Sequence, residues 1–367
     1  MTLEPNWASP PGATIERIMS SREISYDDLA DALNITRSEI SDLIAGDVRI
    51  DEELAELLSD VVGSTARFWI DRDRKFECEL RRVTTDQADE LIEWVKSLPV
   101  SSLKEFGFTT KGLRAEVAAK EILGFFGCKT FADWNARYRA GVTDVAFRTS
   151  SAFQSDDMAI LVWRRMGEIQ FEKMNLPPYD PKLFSAMLPE LKKLSAFKNP
   201  DTMVRKLRAQ CKEAGVAVTT ARAPKGCRAS GAAWWSDSGN PIIHLSFRHL
   251  SNDHFWFTFY HECGHVLLHQ GDFVDIDHDG EGGVYDRIEN EANSFSSAQL
   301  IPESGWDRIY SRSLSPKSLI RTAREFDIAP GILAGQLEKK GIVKYGRFSF
   351  LKHRYRWNSD PFVPEVK

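Results

Sequence analysis

The chain has 367 residues, 42% hydrophobic and 28% charged, with 48 Lys and Arg against 53 Asp and Glu and a net charge of −5. These proportions suit an ordinary globular protein long enough for two or three domains, and they exclude a disordered or fibrous chain. No apolar run reaches 18 residues, MTLEPNWASPPG has no charged-then-apolar leader, and the cysteines at 78, 128, 211, 227 and 263 form no C-x-x-C pair. The expected setting is a reducing cytoplasm, with no membrane span, disulfide framework or zinc finger.

Residues 1–77 read as a small helical bundle. Ser25 to Leu33, a turn at Asn34-Ile35, and Thr36 to Ile44 followed by Gly46 describe two short helices, each opened by a capping box and separated by a tight turn. With Pro11-Gly12-Ala13 before it and Asp51 to Trp69 after it, this helix-turn-helix pattern resembles the XRE-type domain of the HigA and VapI antitoxins. The resemblance implies that Arg37, Ser38 and Ser41, at the start of the second helix, face the major groove of DNA. Charge opposes that role. Residues 1–63 hold four basic side chains (Arg17, Arg22, Arg37, Arg49) against fourteen acidic ones, a net of −10, and a duplex repels such a module. A homodimer concentrates whatever local contacts exist; the competing use is protein interaction or dimerisation.

Residues 78–198 read as a helical middle region. Gln87 to Val95, Leu113 to Leu123 and Asp157 to Met166 have helical spacing, with breaks at Pro99, Gly107, Gly112, Gly141 and Pro177 to Pro181. Its aromatics, Trp94, Phe125, Phe126, Phe131, Trp134 and Trp163, are expected in cores rather than around a ligand.

A third region spans 199–367. Asn199-Pro200 opens a helix running to about Ala214; Gly215 to Thr220 and Pro241 to Ser246 then read as strands of a small sheet. His261-Glu262-Cys263-Gly264-His265 follows an apolar run and reads as H-E-x-x-H. Residues four apart share a helix face, so His261 and His265 can turn ring nitrogens to one Zn2+, while Glu262, about 100° further round, is placed to act as general base. A catalytic zinc needs a third protein ligand. Glu289 and Glu291 are the candidates. In the helical stretch Arg287 to Leu300, Ile288, Ala292, Phe295, Ala298 and Gln299 form one stripe; Glu291 lies about 40° from Phe295 and Glu289 about 120° away, so Glu291 is the expected ligand. Gln270 to Glu289, with four glycines and seven acidic residues, reads as a mobile loop in which His278 and Tyr285 are candidates to stabilise a developing oxyanion. Lys339 to Trp357 holds seven Lys or Arg, no acid and several aromatics. It can bind nucleic acid or, as the preferred reading, dock on the acidic N-terminal module.

HECGHVLLH followed by ENEANSFSSAQLIP resembles the ImmA/IrrE family of zinc metallopeptidases, and Ser230-Gly231-Ala232, Pro241 to Leu245 and Phe257-Thr258 match the lead-in to that family's metal helix. The resemblance implies His261, His265 and Glu291 as ligands, Glu262 as base, and a supporting role outside the ligand set for His269. Cys263 departs from the commoner aliphatic residue. Similar fusions carry a helical spacer. The expected fold is mainly α: a helix-turn-helix bundle, a helical middle region and a zincin-like α+β domain with a small sheet and a basic C-terminal tail. The expected function is a zinc-dependent regulatory endopeptidase that cleaves a partner protein, a repressor or toxin, in a stress, phage-response or toxin–antitoxin system. The alternative is a HigA-like antitoxin or regulator that binds DNA or a toxin, its zinc site structural or silent.

Overall fold

Two reciprocal capping boxes organise the N-terminal helices. In the computed structural model, which describes residues 9–83, 87–107, 115–139, 154–269, 271, 273–276 and 284–367, the chain divides at Arg139/Ala140 into two compact units. The first begins with α1 (Gly12–Arg22), α2 (Tyr26–Leu33), α3 (Arg37–Ala45), α4 (Glu52–Val62) and α5 (Ala66–Val83). Ser25 Oγ accepts from the Asp28 amide while the Asp28 carboxylate accepts from the Ser25 amide, and Thr36 and Glu39 repeat the exchange at α3. Asn34 and Gly46 close the two helices in the left-handed conformation that short polar residues and glycine tolerate. Ile15, Leu29, Leu33, Ile40, Leu43, Leu58 and Trp69 make the buried core, so the helix-turn-helix expected from sequence is present.

The same unit continues through α6 (Gln87–Ser97), α7 (Val100–Glu105), α8 (Ala115–Phe125) and the short α9 (Phe131–Trp134), which runs into a π-turn at Asn135–Arg139. Trp94, Phe126, Trp134 and Tyr138 pack together, ring centroids 5.0–6.4 Å apart, as an aromatic core.

In the second unit, α10 (Gln154–Phe171), α11 (Pro181–Leu191) and α12 (Pro200–Glu213) precede β1 (Ala217–Thr220), β2 (Ala229–Trp235) and β3 (Pro241–Leu245). Then come α13 (Asn252–Leu268), β4 (Phe273–Ile276), α14 (Val284–Leu300), α15 (Glu303–Tyr310), α16 (Pro316–Glu325), α17 (Pro330–Lys339), and the short pair β5 (Tyr355–Arg356) and β6 (Glu365–Val366). The main sheet has the order β1-β3-β2-β4, with β1 parallel to β3 and β2 antiparallel to both neighbours. Alternation along the strands gives it two buried faces. Val218, Ile243 and Leu245 join the core with Met203, Val204 and Leu207 of α12 and Phe255, Phe259 and Cys263 of α13. Thr219 and His244 point the other way, toward α10.

That packing corrects the expected boundary at 199. The segment 78–198 is divided between the units, and α10 belongs with the sheet: Trp163, wholly buried, donates Nε1–H to the Ala221 carbonyl at 3.0 Å and its ring lies 4.3 Å from that of His244. The helix is buried on nearly every side from Asp157 to Trp163, the pattern of a core helix rather than a spacer. The basic C-terminal stretch is likewise no tail. Lys352, 7% exposed, reaches Asp253 at 2.7 Å and Glu338 at 2.6 Å, and the His353 carbonyl accepts from the Asn252 amide, clasping the stretch to the start of α13. Among the described residues no helix is long and apolar enough to cross a membrane.

Candidate metal centre

The centre is built where α13 and α14 cross closely. Gly264 permits the approach, since a side chain there would meet Ala292 Cα and Phe295 Cδ1 at 3.2 Å. Ser296 Oγ donates to the Phe257 carbonyl at 2.8 Å one turn lower, so a polar residue fills the seam without an unpaired group. His261, Glu262 and His265 are all at most 2% exposed.

Glu289, not Glu291, completes the cluster. His261 Nε2 and His265 Nε2 stand 2.9 Å apart, and the Glu289 carboxylate lies 3.1 Å from the first and 3.4 Å from the second. One atom from each of the three lies within 4.8 Å of the others. The expectation of Glu291 rests on a stripe through Ile288, Ala292, Phe295, Ala298 and Gln299, of which Ala292 alone is buried. The buried stripe is Ala292, Ser296 and Leu300, and Glu289 precedes Ser296 by seven residues, about 20° off the same line. Burial would raise the Glu289 pKa, but hydrogen bonds from His261 and His265 outweigh it and hold the carboxyl at about 2. Burial also lowers His265 below the ordinary imidazole value, with Glu289 working against it.

Each histidine is oriented from behind. His261 Nδ1 lies 3.2 Å from Asn293 Oδ1, so its proton resides on Nδ1 and Nε2 presents a lone pair. His265 Nδ1 lies 3.1 Å from His269 Nδ1, and His269 Nε2 lies 3.0 Å from Glu291. One proton arrangement satisfies this chain: His265 Nδ1–H donates to His269, and His269 Nε2–H donates to Glu291. In this arrangement a cation would take the place of the Nε2 protons that otherwise hydrogen-bond Glu289, and both Nε2 lone pairs would face the carboxylate. Three such donors at these distances repel one another unless a cation lies among them, so the set fits a zinc ion. His269 lies behind His265, outside the three-residue cluster. Asn293 lies within the ENEANSFSSAQLIP stretch that carries the resemblance, but no role for it was expected.

Glu262 lies against β2. A methyl group on Gly231 would fall 2.9 Å from Glu262 Cδ and 2.6 Å from Thr258 Cγ2, so only glycine leaves room for the carboxylate under the strand. His278 lies outside the described residues, and Tyr285 stands on the first turn of α14 with its side chain outside them. The expected loop from 270 to 289 is shorter than predicted, because Phe273–Ile276 adds β4 to the sheet and α14 starts at Val284. In the first unit Arg37, Ser38 and Ser41 are exposed at the start of α3. Arg37 is paired with Asp27 at 3.3 Å, a contact between two well-exposed groups that contributes little.

Comparison with known families decides what frame holds this geometry. The M78 peptidase model, described as the IrrE N-terminal-like domain, matches residues 211–337, and a helix-turn-helix model matches residues 15–69. The chain joins a helix-turn-helix domain to an IrrE-like, metallopeptidase-like domain. No match was found among curated proteins. The segment matched to the IrrE-like domain holds the four strands of the main sheet and all the residues of the cluster, whereas Trp163 before it and Lys352 after it lie outside.

Proposed function

We propose that the chain is a zinc-dependent endopeptidase that cleaves a partner protein, with His261, His265 and Glu289 as ligands and Glu262 as general base. The observation that supports this best is the convergence of three lone-pair donors beside a buried carboxylate that is not one of them. A zinc ion bound there supplies the charge that acidifies water and polarises a scissile carbonyl. Glu262 receives a proton from the attacking water and delivers it to the leaving amine. Asn293 and His269 hold the two imidazoles in the tautomer that binds, and the cover of β2 over Glu262 excludes bulk water.

The substrate class follows the pairing of domains: a repressor or toxin, recognised through the helix-turn-helix module, whose Arg37, Ser38 and Ser41 are the candidates for DNA contact. The acidity of that module favours protein over DNA as the contacted surface. The test is a pull-down with Glu262→Gln, followed by mass spectrometry of the retained protein before and after treatment with the wild-type enzyme. The variant is expected to keep zinc and lose cleavage. Full cleavage by the zinc-loaded variant would sink the assignment.

A further inference from the structure

The buried Lys352 organises a surface that the peptidase reading does not use. Glu338, held by Lys352, accepts from the Gly346 amide at 2.9 Å and so fixes the turn that follows α17. Gly346 sits at φ 82°, where a side chain would be strained. This fixed turn displays two large rings to solvent: Tyr345 is 83% and Phe350 67% exposed. Neither is loose. Lys352 Nζ lies 5.7 Å from the Tyr345 ring centre, and Phe350 leans edge-on against the buried Phe348 at 6.3 Å. Around them Lys339, Lys340, Lys344 and Arg347 are exposed, and the Glu338 side chain is buried against Lys352.

We propose that this turn binds single-stranded nucleic acid, with Tyr345 and Phe350 as stacking platforms and the four cations along the backbone. Sequence favoured docking of the whole stretch on the acidic N-terminal module. Two findings alter the balance. Lys352 and Tyr355 are committed to the interior, and what remains outside is a pre-set pair of aromatic faces. Charge pairing with a protein has no need of solvent-facing rings, whereas unstacked bases bind them regardless of sequence. Duplex DNA keeps its bases stacked and offers these rings nothing.

The test uses the full chain and a fluorescein-labelled oligo(dT) of about 15 nucleotides, alone and annealed to its complement, read by anisotropy. The single strand should bind with a log–log salt slope of about −3, from four cations at about 0.7 each. Tyr345→Ala with Phe350→Ala should weaken it by about 25-fold or more. Replacing Lys339, Lys344 and Arg347 by Gln should flatten the salt slope, and cleavage by either variant should be unchanged. No binding, equal affinity for the duplex, or strand binding by the Tyr345/Phe350 variant equal to wild type would overturn the proposal. So would a wild-type protein that ignores the strand yet forms a dimer which these substitutions disperse, since the turn would then serve an acidic protein surface.

Discussion

Gly231→Ala isolates the placement of Glu262 from every other property of the centre. The new methyl would stand 2.9 Å from Glu262 Cδ and 2.6 Å from Thr258 Cγ2, against an ordinary contact distance of 3.4 Å or more. The strand cannot retreat, because β3 and β4 hydrogen-bond it on both sides. The carboxylate, whose Oε1 would stand closer still than Cδ, must therefore move by about 1 Å and the threonine methyl by about 0.8 Å. Overpacking of this kind costs about 1–3 kcal/mol and lowers Tm by a few degrees for a domain of this size. The effect on catalysis should be larger, about 10- to 100-fold in kcat, since displacing a reacting group by 1 Å costs on the order of 100-fold. Zinc affinity should hold, because the atoms nearest the new methyl belong to Glu262 and Thr258 and not to His261, His265 or Glu289. The assay compares cleavage of the partner retained by the Glu262→Gln trap, zinc content and Tm. Wild-type kcat in a folded, zinc-loaded Gly231→Ala protein would refute the reasoning.

Glu289→Gln should weaken zinc binding, measured by chelator competition, by more than the roughly 10–100-fold expected for Glu291→Gln, which acts only through His269; the reverse order would restore Glu291 as the ligand. His244 is wholly buried, and burial lowers its pKa to about 3. It is neutral when folded and protonated when unfolded between about pH 6.5 and 3, so the second unit should lose up to about 1.4 kcal/mol per pH unit on acidification through that window. Urea midpoints at pH 7 and 5 would show this, and His244→Gln should reduce the slope. Lys352→Met leaves Asp253 and Glu338 buried without their cation and should cost about 3–5 kcal/mol by denaturant titration. In the wild type the Asp253 carboxyl is held below its ordinary value, burial being outweighed by Lys352 and Ser251, so its contribution is present above the ordinary carboxylate range and fades as pH falls further. Lys352 is raised despite burial by the same partners, so its share fades only as pH climbs above the ordinary lysine value.

The capping boxes at Ser25 and Thr36 and the H-E-x-x-H spacing were legible because each is a local rule read over four or five residues. The position of Glu289 was not, because the buried line it belongs to runs through Ser296. A hydroxyl bonded to Phe257 does not look like a buried face when hydrophobicity is the guide. β4 was hidden for a related reason: Phe273–Ile276 lies between acidic and glycine-rich residues, and its pairing with β2 is a long-range fact. The placement of α10 needed the partner as well, since the burial of Trp163 depends on Ala221 and His244 far along the chain. The fold class was thus readable, whereas the place of Glu289 beside the two histidines and one boundary were not.

The Lys352 clasp bears on how the protein can be taken apart. Residues 211–337, the segment matched to the IrrE-like domain, hold every residue of the cluster yet are packed against residues on either side of the match. A gene fragment trimmed to that match would strip Trp163 from the back of the sheet and strand Asp253 at the head of the metal helix. Such a fragment would be expected to lose stability and metal binding although it keeps His261, His265 and Glu289.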